Sequence, residues 1–451
     1  MNFISNFIHR RIGHRPNLVK IVHNISWLFF DKILKLGAGF FVGVWIVRYL
    51  GPEQFGLFSY VLAFTAIFGS IAKLGLDGIM VRELVNHPEK RDTYLGTAFW
   101  LKILGALIAM GLIGTILPFT SNDATTNQFI FIIAAGLVFQ SFEVVDFYFE
   151  SQVLAKIISI CKIINLALSS IIKIYLVLTE AELIWFVLVT AFDALSLAVN
   201  YFIAYKLTKN QAFYKHFDLS IAKQLLKDSW PMIFSVIIIT IYMRIDQIMI
   251  KEMLGKHKVG IYSAAVKLIE VYYFLPTLIT ASLFPAILNA KKISEDLYYD
   301  RLQNLYNFML LIALATASAT FFLADWAIEL LYGLAYQEAA SVLKIYIWAS
   351  VFIFGSMAAS KWIIAENIQF YANYFLIFGL VSNVLLNYIL IPQYGIIGAA
   401  IATLLSQAIA SLIAPAFFRK TRLQFTMLVK SCFLIISKKG IKNVLNIWNH
   451  K

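Results

Sequence analysis

The chain has 451 residues, 60% of them hydrophobic and 15% aromatic, with only 14% charged and a formal net charge of +13. Soluble domains carry about a quarter charged residues, so the composition excludes a soluble protein and points to an all-α integral membrane protein. The two cysteines, Cys161 and Cys432, lie too far apart for a metal cluster or a disulfide framework and read as small packing residues.

The first twenty residues, MNFISNFIHRRIGHRPNLVK, have no long apolar core followed by a small-residue cleavage site, so no cleaved signal peptide is expected. Phe3, Ile4, Phe7, Ile8 and Ile12 recur at helical spacing beside basic residues, the pattern of a short helix lying on a membrane surface. A spanning helix needs about 20 mostly apolar residues. Twelve segments qualify: 25–47, 57–76, 94–117, 128–149, 157–178, 183–205, 230–250, 259–288, 304–323, 342–363, 370–391 and 395–418. Pro276 interrupts the eighth and Pro285 follows near its end, so a kink is expected there. The longest outer connection is 324–341. Beyond Arg422 the run FTMLVKSCFLIIS is too short to span and is broken by Lys430. Ile441, Val444, Leu445 and Trp448 then repeat at helical spacing among lysines, a second interfacial pattern.

Orientation follows the distribution of Lys and Arg. With the N-terminus inside, 26 of the 38 fall in cytoplasmic segments, and only Arg48, Lys251, Lys256 and Lys258 fall in outer connections. Both termini are therefore expected in the cytoplasm. This asymmetry accounts for most of the positive charge, and nucleic acid is not needed as a partner.

The turn LGPEQFGLFSY (50–60) is echoed by LGKHKVGIYSA (254–264) at an offset of 204 residues. The repeat predicts two six-helix bundles related by a pseudo-two-fold axis, the arrangement in which transporters place a substrate path between halves. The expected organisation is an interfacial N-terminal segment (1–24), a first bundle (25–205), a basic cytoplasmic linker (206–229), a second bundle (230–418) and a basic tail (419–451).

Eight cations (Lys32, Lys35, Lys102, Lys162, Lys173, Arg244, Lys267, Lys344) and six acids (Asp31, Glu143, Asp146, Asp193, Asp246, Glu270) lie inside the spans. Such groups cost at least a few kcal/mol each at membrane depth and mark functional interiors. Several share helix faces: Lys267 with Glu270, Lys32 with Lys35, Lys162 with Lys173, and Glu143 with Asp146 and Glu150. The bland alternatives are snorkelling for Lys32, Lys35 and Lys344, and a purely structural ion pair between the seventh and eighth helices for Arg244, Asp246, Lys267 and Glu270. The basic surplus suits a phosphate or pyrophosphate substrate, and buried carboxylates suit proton or cation coupling. No Walker P-loop, zinc-ligand spacing or GxSxG elbow is present, and no cofactor is expected.

The run WLFFDKILKLGAGFFVGVWIVRYLGPEQFGLFSYVLAFTAIFGSIAKLGLDGIMVREL (27–84) resembles the N-terminal signature of the O-antigen and polysaccharide flippases. These belong to the multidrug/oligosaccharidyl-lipid/polysaccharide exporter (MOP) superfamily. RIDQIMIKEMLGKHKVGIYSAAVKLIEVYYFLP (244–276), VVDFYFES (144–151) and IPQYGIIGAAIATLLSQ (391–407) extend the likeness to nearly the whole chain, from Trp27 to about Arg419. The resemblance implies a MATE-like fold around a central cavity and a transporter rather than an enzyme. Its implied work is moving an undecaprenyl-pyrophosphate-linked oligosaccharide, such as an O-antigen unit for lipopolysaccharide, across a bacterial inner membrane on a proton or cation gradient. Membrane lipids, a polysaccharide polymerase and chain-length proteins are the partners of that setting. Arg244 and Lys267, with Lys32, Lys162 and Lys173, are then substrate contacts, and Asp246, Glu270, Glu143 and Asp146 coupling groups or ion-pair partners. Arg48, Gly51, Gly56, Asp77 and Arg82 match the N-terminal motif in structural roles. A lipid II flippase would more usually add two helices, for which the sequence shows no candidates. The rival readings are a cation-coupled multidrug antiporter of the same superfamily, which would prefer an acidic cavity, and a membrane glycan polymerase or ligase. The 324–341 connection has no Lys, Arg or His, which argues against the enzyme.

Overall fold

A computed structural model describes residues 16–208 and 212–436. The surface-helix patterns expected at Phe3–Ile12 and Ile441–Trp448 lie outside the described residues. Every regular element described is helical: α1 (Pro16–Lys73), α2 (Asp77–Asn86), α3 (Arg91–Ile116), α4 (Ala124–Phe139), α5 (Val144–Ser151), α6 (Ala155–Leu178), α7 (Leu183–Leu207), α8 (Leu219–Leu254), α9 (Lys256–Tyr272), α10 (Phe274–Lys291), α11 (Glu295–Tyr332), α12 (Glu338–Tyr346), α13 (Ala349–Ala365), α14 (Gln369–Ala408), α15 (Ala414–Phe417) and α16 (Arg422–Ile436). In hydrocarbon, helices satisfy every backbone group internally. Many large apolar side chains lie exposed, among them Phe41, Trp45, Leu178, Phe322 and Trp326, an exterior suited to lipid. The protein is a multi-pass membrane protein.

Ten helical stretches among the described residues are long and apolar enough to cross a membrane, where twelve spans were expected. The difference lies in two stretches, Phe29–Asn86 and Gln369–Phe417, of 58 and 49 residues. At 1.5 Å per residue each far exceeds the ~30 Å of a hydrocarbon core. Each is broken at a glycine, Gly51 (φ 66°, ψ 172°) and Gly395 (φ 61°, ψ −141°), and each contains two of the expected spans. The expected kink in the eighth span occurs at Tyr273, between α9 and α10. Pro276 has no N–H to give to the Tyr272 carbonyl four residues earlier. The 324–341 connection is mostly helix rather than open loop: α11 runs on to Tyr332, and α12 begins at Glu338.

The chain forms two compact units, one of residues 1–50 and 61–240, the other of 51–60 and 241–451. The core of the first packs Leu76, with Met80 and Leu84 of α2, against Tyr94 and Leu95 of α3, Val144 and Phe149 of α5, and Tyr201 and Tyr205 of α7. Residues of the 206–229 segment belong to this core: Phe213 is fully buried, and Trp100 Nε1 donates to Tyr214 C=O at 3.0 Å. In the second unit, Tyr298, Leu302, Tyr306 and Met309 of α11 pack with Phe354, Ala358 and Trp362 of α13 and with Met427 and Leu428 of α16.

The second unit also contains both turns of the 204-residue repeat. Gly255 adopts nearly the Gly51 conformation (φ 85°, ψ 172°), a region that L side chains avoid. Five residues on, Gly56 and Gly260 let two helices touch through their backbones. A Cβ on Gly56 would overlap the Lys256 carbonyl and lie 2.8 Å from Gly260 N; one on Gly260 would overlap the Pro52 carbonyl and lie 3.0 Å from Gly56 N. Pro52 and Lys256 are equivalent at the same offset, so the contact is reciprocal, as at a two-fold interface.

Candidate functional site

Asp246 sits on α8 with its carboxylate inside the second unit, 5% exposed. Asn387 Nδ2 donates to Oδ1 at 2.6 Å, while Tyr262 OH and Thr403 Oγ1 donate to Oδ2 at 2.6 and 2.7 Å. A further shell holds these donors. Asn387 Nδ2 also reaches Asn383 Oδ1 at 3.1 Å, Tyr242 OH donates to Ser406 Oγ at 3.0 Å, and Ser406 Oγ donates to Thr403 C=O at 3.0 Å. Asn383 and Asn387 (i, i+4) share one face, as do Thr403 and Ser406 (i, i+3). Asn387 and Thr403 are sixteen residues apart, which a straight helix would stretch over about 24 Å, yet both grip one carboxylate. The chain therefore doubles back at Gly395, where Gly398 packs against the Leu390 carbonyl too closely for any Cβ. The cage is rich in oxygens. Asn387 Oδ1 is buried with no hydrogen-bond donor.

Arg244, two residues before Asp246, points elsewhere: its Nη1 lies 3.3 Å from Glu270 Oε1, each side chain about one-third exposed. This pair joins α8 to α9. Lys267 Nζ lies over the Phe55 ring, 5.7 Å from its centroid.

Among the described residues of the first unit, three lysine ion pairs lie on helices long and apolar enough to cross a membrane. Lys102 Nζ meets Glu143 Oε2 at 2.8 Å, the lysine side chain 1% exposed, with Nζ also 5.3 Å from the Phe147 centroid. Lys162 Nζ meets Asp146 Oδ2 at 2.8 Å, and Tyr201 OH donates to that same oxygen at 3.1 Å. Lys173 Nζ meets Asp193 Oδ2 and Ser169 Oγ, both at 2.7 Å. Lys102 and Asp193 thus have separate partners. Asp31 is buried within electrostatic reach of Lys162, Lys35, Asp146 and Lys32, and Lys32 itself is exposed.

The motif residues occupy helix ends and turns. Arg48 is exposed just before the Gly51 break, and Asp77 lies exposed in the first turn of α2, where a negative charge complements the helix dipole. Arg82 bonds Glu83 and Asp228, each at 2.8 Å, tying α2 to the start of α8. Gly56 makes the backbone crossing already described.

A family model described as "Polysaccharide biosynthesis protein" matches residues 21–291, more than half of the chain. The chain belongs to that family. A second model, MatE, matches residues 231–389. Over 409 residues the chain is 24% identical to the capsular polysaccharide biosynthesis protein CapF of Staphylococcus aureus, covering 89% of this chain and 99% of the relative. Its fold is similar to that of an inward-facing multidrug resistance MATE family transporter of the MOP superfamily (TM-score 0.67, 16% identity, 90% of this chain and 99% of that one). It is likewise similar to the lipid II flippase MurJ in an inward closed conformation (TM-score 0.66, 16% identity, 92% of each chain).

Within this family fold, sequence reasoning located Asp246 but not what surrounds it. Tyr242, Tyr262, Asn383, Asn387, Thr403 and Ser406 are neutral, and a search for charge at membrane depth passes over them. The available signal was spacing: two asparagines four apart and a Thr–Ser pair three apart, each inside an apolar span.

Proposed function

We propose that the protein is a flippase that carries undecaprenyl-pyrophosphate-linked O-antigen or polysaccharide repeat units from the cytoplasmic to the outer leaflet of a bacterial inner membrane. In this reading Phe29–Asn86 and Gln369–Phe417 each cross twice. That gives twelve crossings in two bundles, 25–205 and 230–418, with both termini in the cytoplasm. The partly exposed pairs Lys162–Asp146, Lys173–Asp193 and Arg244–Glu270 open to an anionic headgroup, because a pyrophosphate can replace the carboxylate as the cation's partner. Lys32 and Lys267 add positive charge. Lys102–Glu143, with its lysine sealed in, serves structure.

The observation that carries the reading is the Asp246 cage. The hydrogen-bond donors to this buried carboxylate among the described residues, Asn387, Tyr262 and Thr403 among them, are uncharged, and desolvating an anion in such a setting is costly. Taking up a monovalent cation or a proton relieves that cost. The oxygens of Asp246, Asn387 and Thr403 suit a hard cation such as sodium, and transporters commonly bind coupling ions where backbone is broken near the midplane. Ion binding here and substrate binding at the cation pairs are then two ends of one transport cycle.

The test is Asp246→Asn expressed in a host lacking the gene. The expected result is loss of surface polysaccharide at unchanged membrane levels of the protein. Normal surface polysaccharide from Asp246→Asn would sink the coupling role.

A further inference from the structure

The helix that carries Thr403 and Ser406 does not end regularly. Over Ile409–Ile413 it widens to a π-turn, and the Ala414 N–H donates to the Ile409 carbonyl five residues back. The cause lies in the sequence. Pro415 has no N–H for the Ser411 carbonyl four residues earlier, and in an α-helix its ring would strike that carbonyl. The widened turn removes the clash and leaves the carbonyl without its helical donor. Gln424 on α16 supplies one: its Nε2 donates to Ser411 C=O at 3.1 Å, fully buried, and the residue is 2% exposed. Thr421 Oγ1 fastens the same junction, donating to Pro415 C=O at 2.9 Å.

The π-turn lies beside Tyr242, which holds the outer shell of the Asp246 cage. Ala410, inside the turn, fills a notch at Gly379 together with the Tyr242 ring. A Cβ on Gly379 would lie 2.9 Å from Ala410 Cβ and 3.0 Å from Tyr242 Cε1. Tyr242 OH holds Ser406, Ser406 Oγ holds the Thr403 carbonyl, and Thr403 Oγ1 holds Asp246. The contacts from Gln424 to the carboxylate are therefore continuous. Such π-turns occur often at functional sites.

We infer that Gln424 is a positioning residue of the Asp246 site. By occupying the Ser411 carbonyl it holds the π-turn, and with it the register at which Thr403 and Ser406 meet the cage. The tail helix α16 is thereby part of the ion site's support rather than an appendage. The inference rests on the reading of Asp246 as the ion-coupling group.

The test uses the purified full chain in detergent at pH 7, with thermal stability titrated by sodium chloride against choline chloride. The wild type is expected to show saturable stabilisation by sodium, and Asp246→Asn none. Gln424→Leu is expected to raise the half-saturating sodium concentration about five-fold or more, the lower end of ordinary coupling between sites. Gln424→Asn, one methylene short of Ser411, carries the same expectation and serves if the leucine variant does not fold. A merely structural hydrogen bond would lower the melting temperature without moving the half-point. An unchanged half-point in the Gln424 variants, with Asp246→Asn unresponsive, overturns the inference and leaves the coupling reading standing. A sodium response that persists in Asp246→Asn, or is absent from the wild type, overturns the inference together with the sodium form of the coupling reading on which it rests.

Discussion

Glu143→Gln should damage the protein through Lys102 rather than through any loss at position 143. The Lys102 side chain is 1% exposed while Glu143 is 32% exposed, and they meet at 2.8 Å. Removing the acid's charge strands the ammonium of a buried side chain without its counter-charge, although the Phe147 ring 5.3 Å away offers weak compensation. Breaking a buried pair from one side costs about 3–5 kcal/mol. Partial exposure of Glu143 admits some water, so about 3 kcal/mol is the working figure. At roughly 2–4 °C per kcal/mol for a unit of this size, the melting temperature should fall by about 6–12 °C. The assay is thermal unfolding of the detergent-solubilised protein, followed by its own tryptophan fluorescence. Lys102→Met with Glu143→Gln removes both charges and should recover to within about 1 kcal/mol of wild type. The reasoning is refuted if Glu143→Gln melts with the wild type, or if the double variant is as damaged as the single one.

Three other outcomes are expected. Gly56→Val, and equally Gly260→Val, should abolish stable accumulation in the membrane, because each added Cβ overlaps backbone rather than a movable side chain; immunoblots of membranes showing wild-type levels would contradict the crossing. Asp228→Asn should cost less than about 1 kcal/mol on melting, since its bridge to Arg82 is exposed, at 36% and 53% for the two side chains; a larger loss would mean that the bridge is more than a surface contact. Arg244→Ala should reduce export of surface polysaccharide several-fold at normal protein levels, whereas Arg244→Lys should retain part of it, and equal export from both at wild-type rates would remove Arg244 from the substrate path.

Much of this architecture was legible in the sequence because its causes are local. Twenty-residue apolar runs give long helices, and Gly51 and Gly255, equivalent in the 204-residue repeat, take nearly the same positive-φ conformation. The buried charges were legible as a population but not as pairs. Nothing local reveals that Lys102 reaches Glu143, that Lys173 reaches Asp193, or that Arg244 turns to Glu270 while Asp246 turns inward. Those partners are set by which helix faces meet. The hairpin at Gly395 illustrates the limit: Asn387 and Thr403 converge only because the chain reverses between them. Pro415 was visible in the sequence, but the π-turn it imposes and the help it takes from Gln424 depend on α16 folding back. A segment that was too short to span gave no sign of that.

The central claim, transport of a lipid-linked oligosaccharide, is tested most directly in the lipid fraction of a host from which the gene has been deleted. Accumulation of an undecaprenyl-pyrophosphate-linked oligosaccharide facing the cytoplasm, with surface glycan lost and both restored by the wild-type chain, is the predicted result. Unchanged lipid intermediates with intact surface glycan would contradict it.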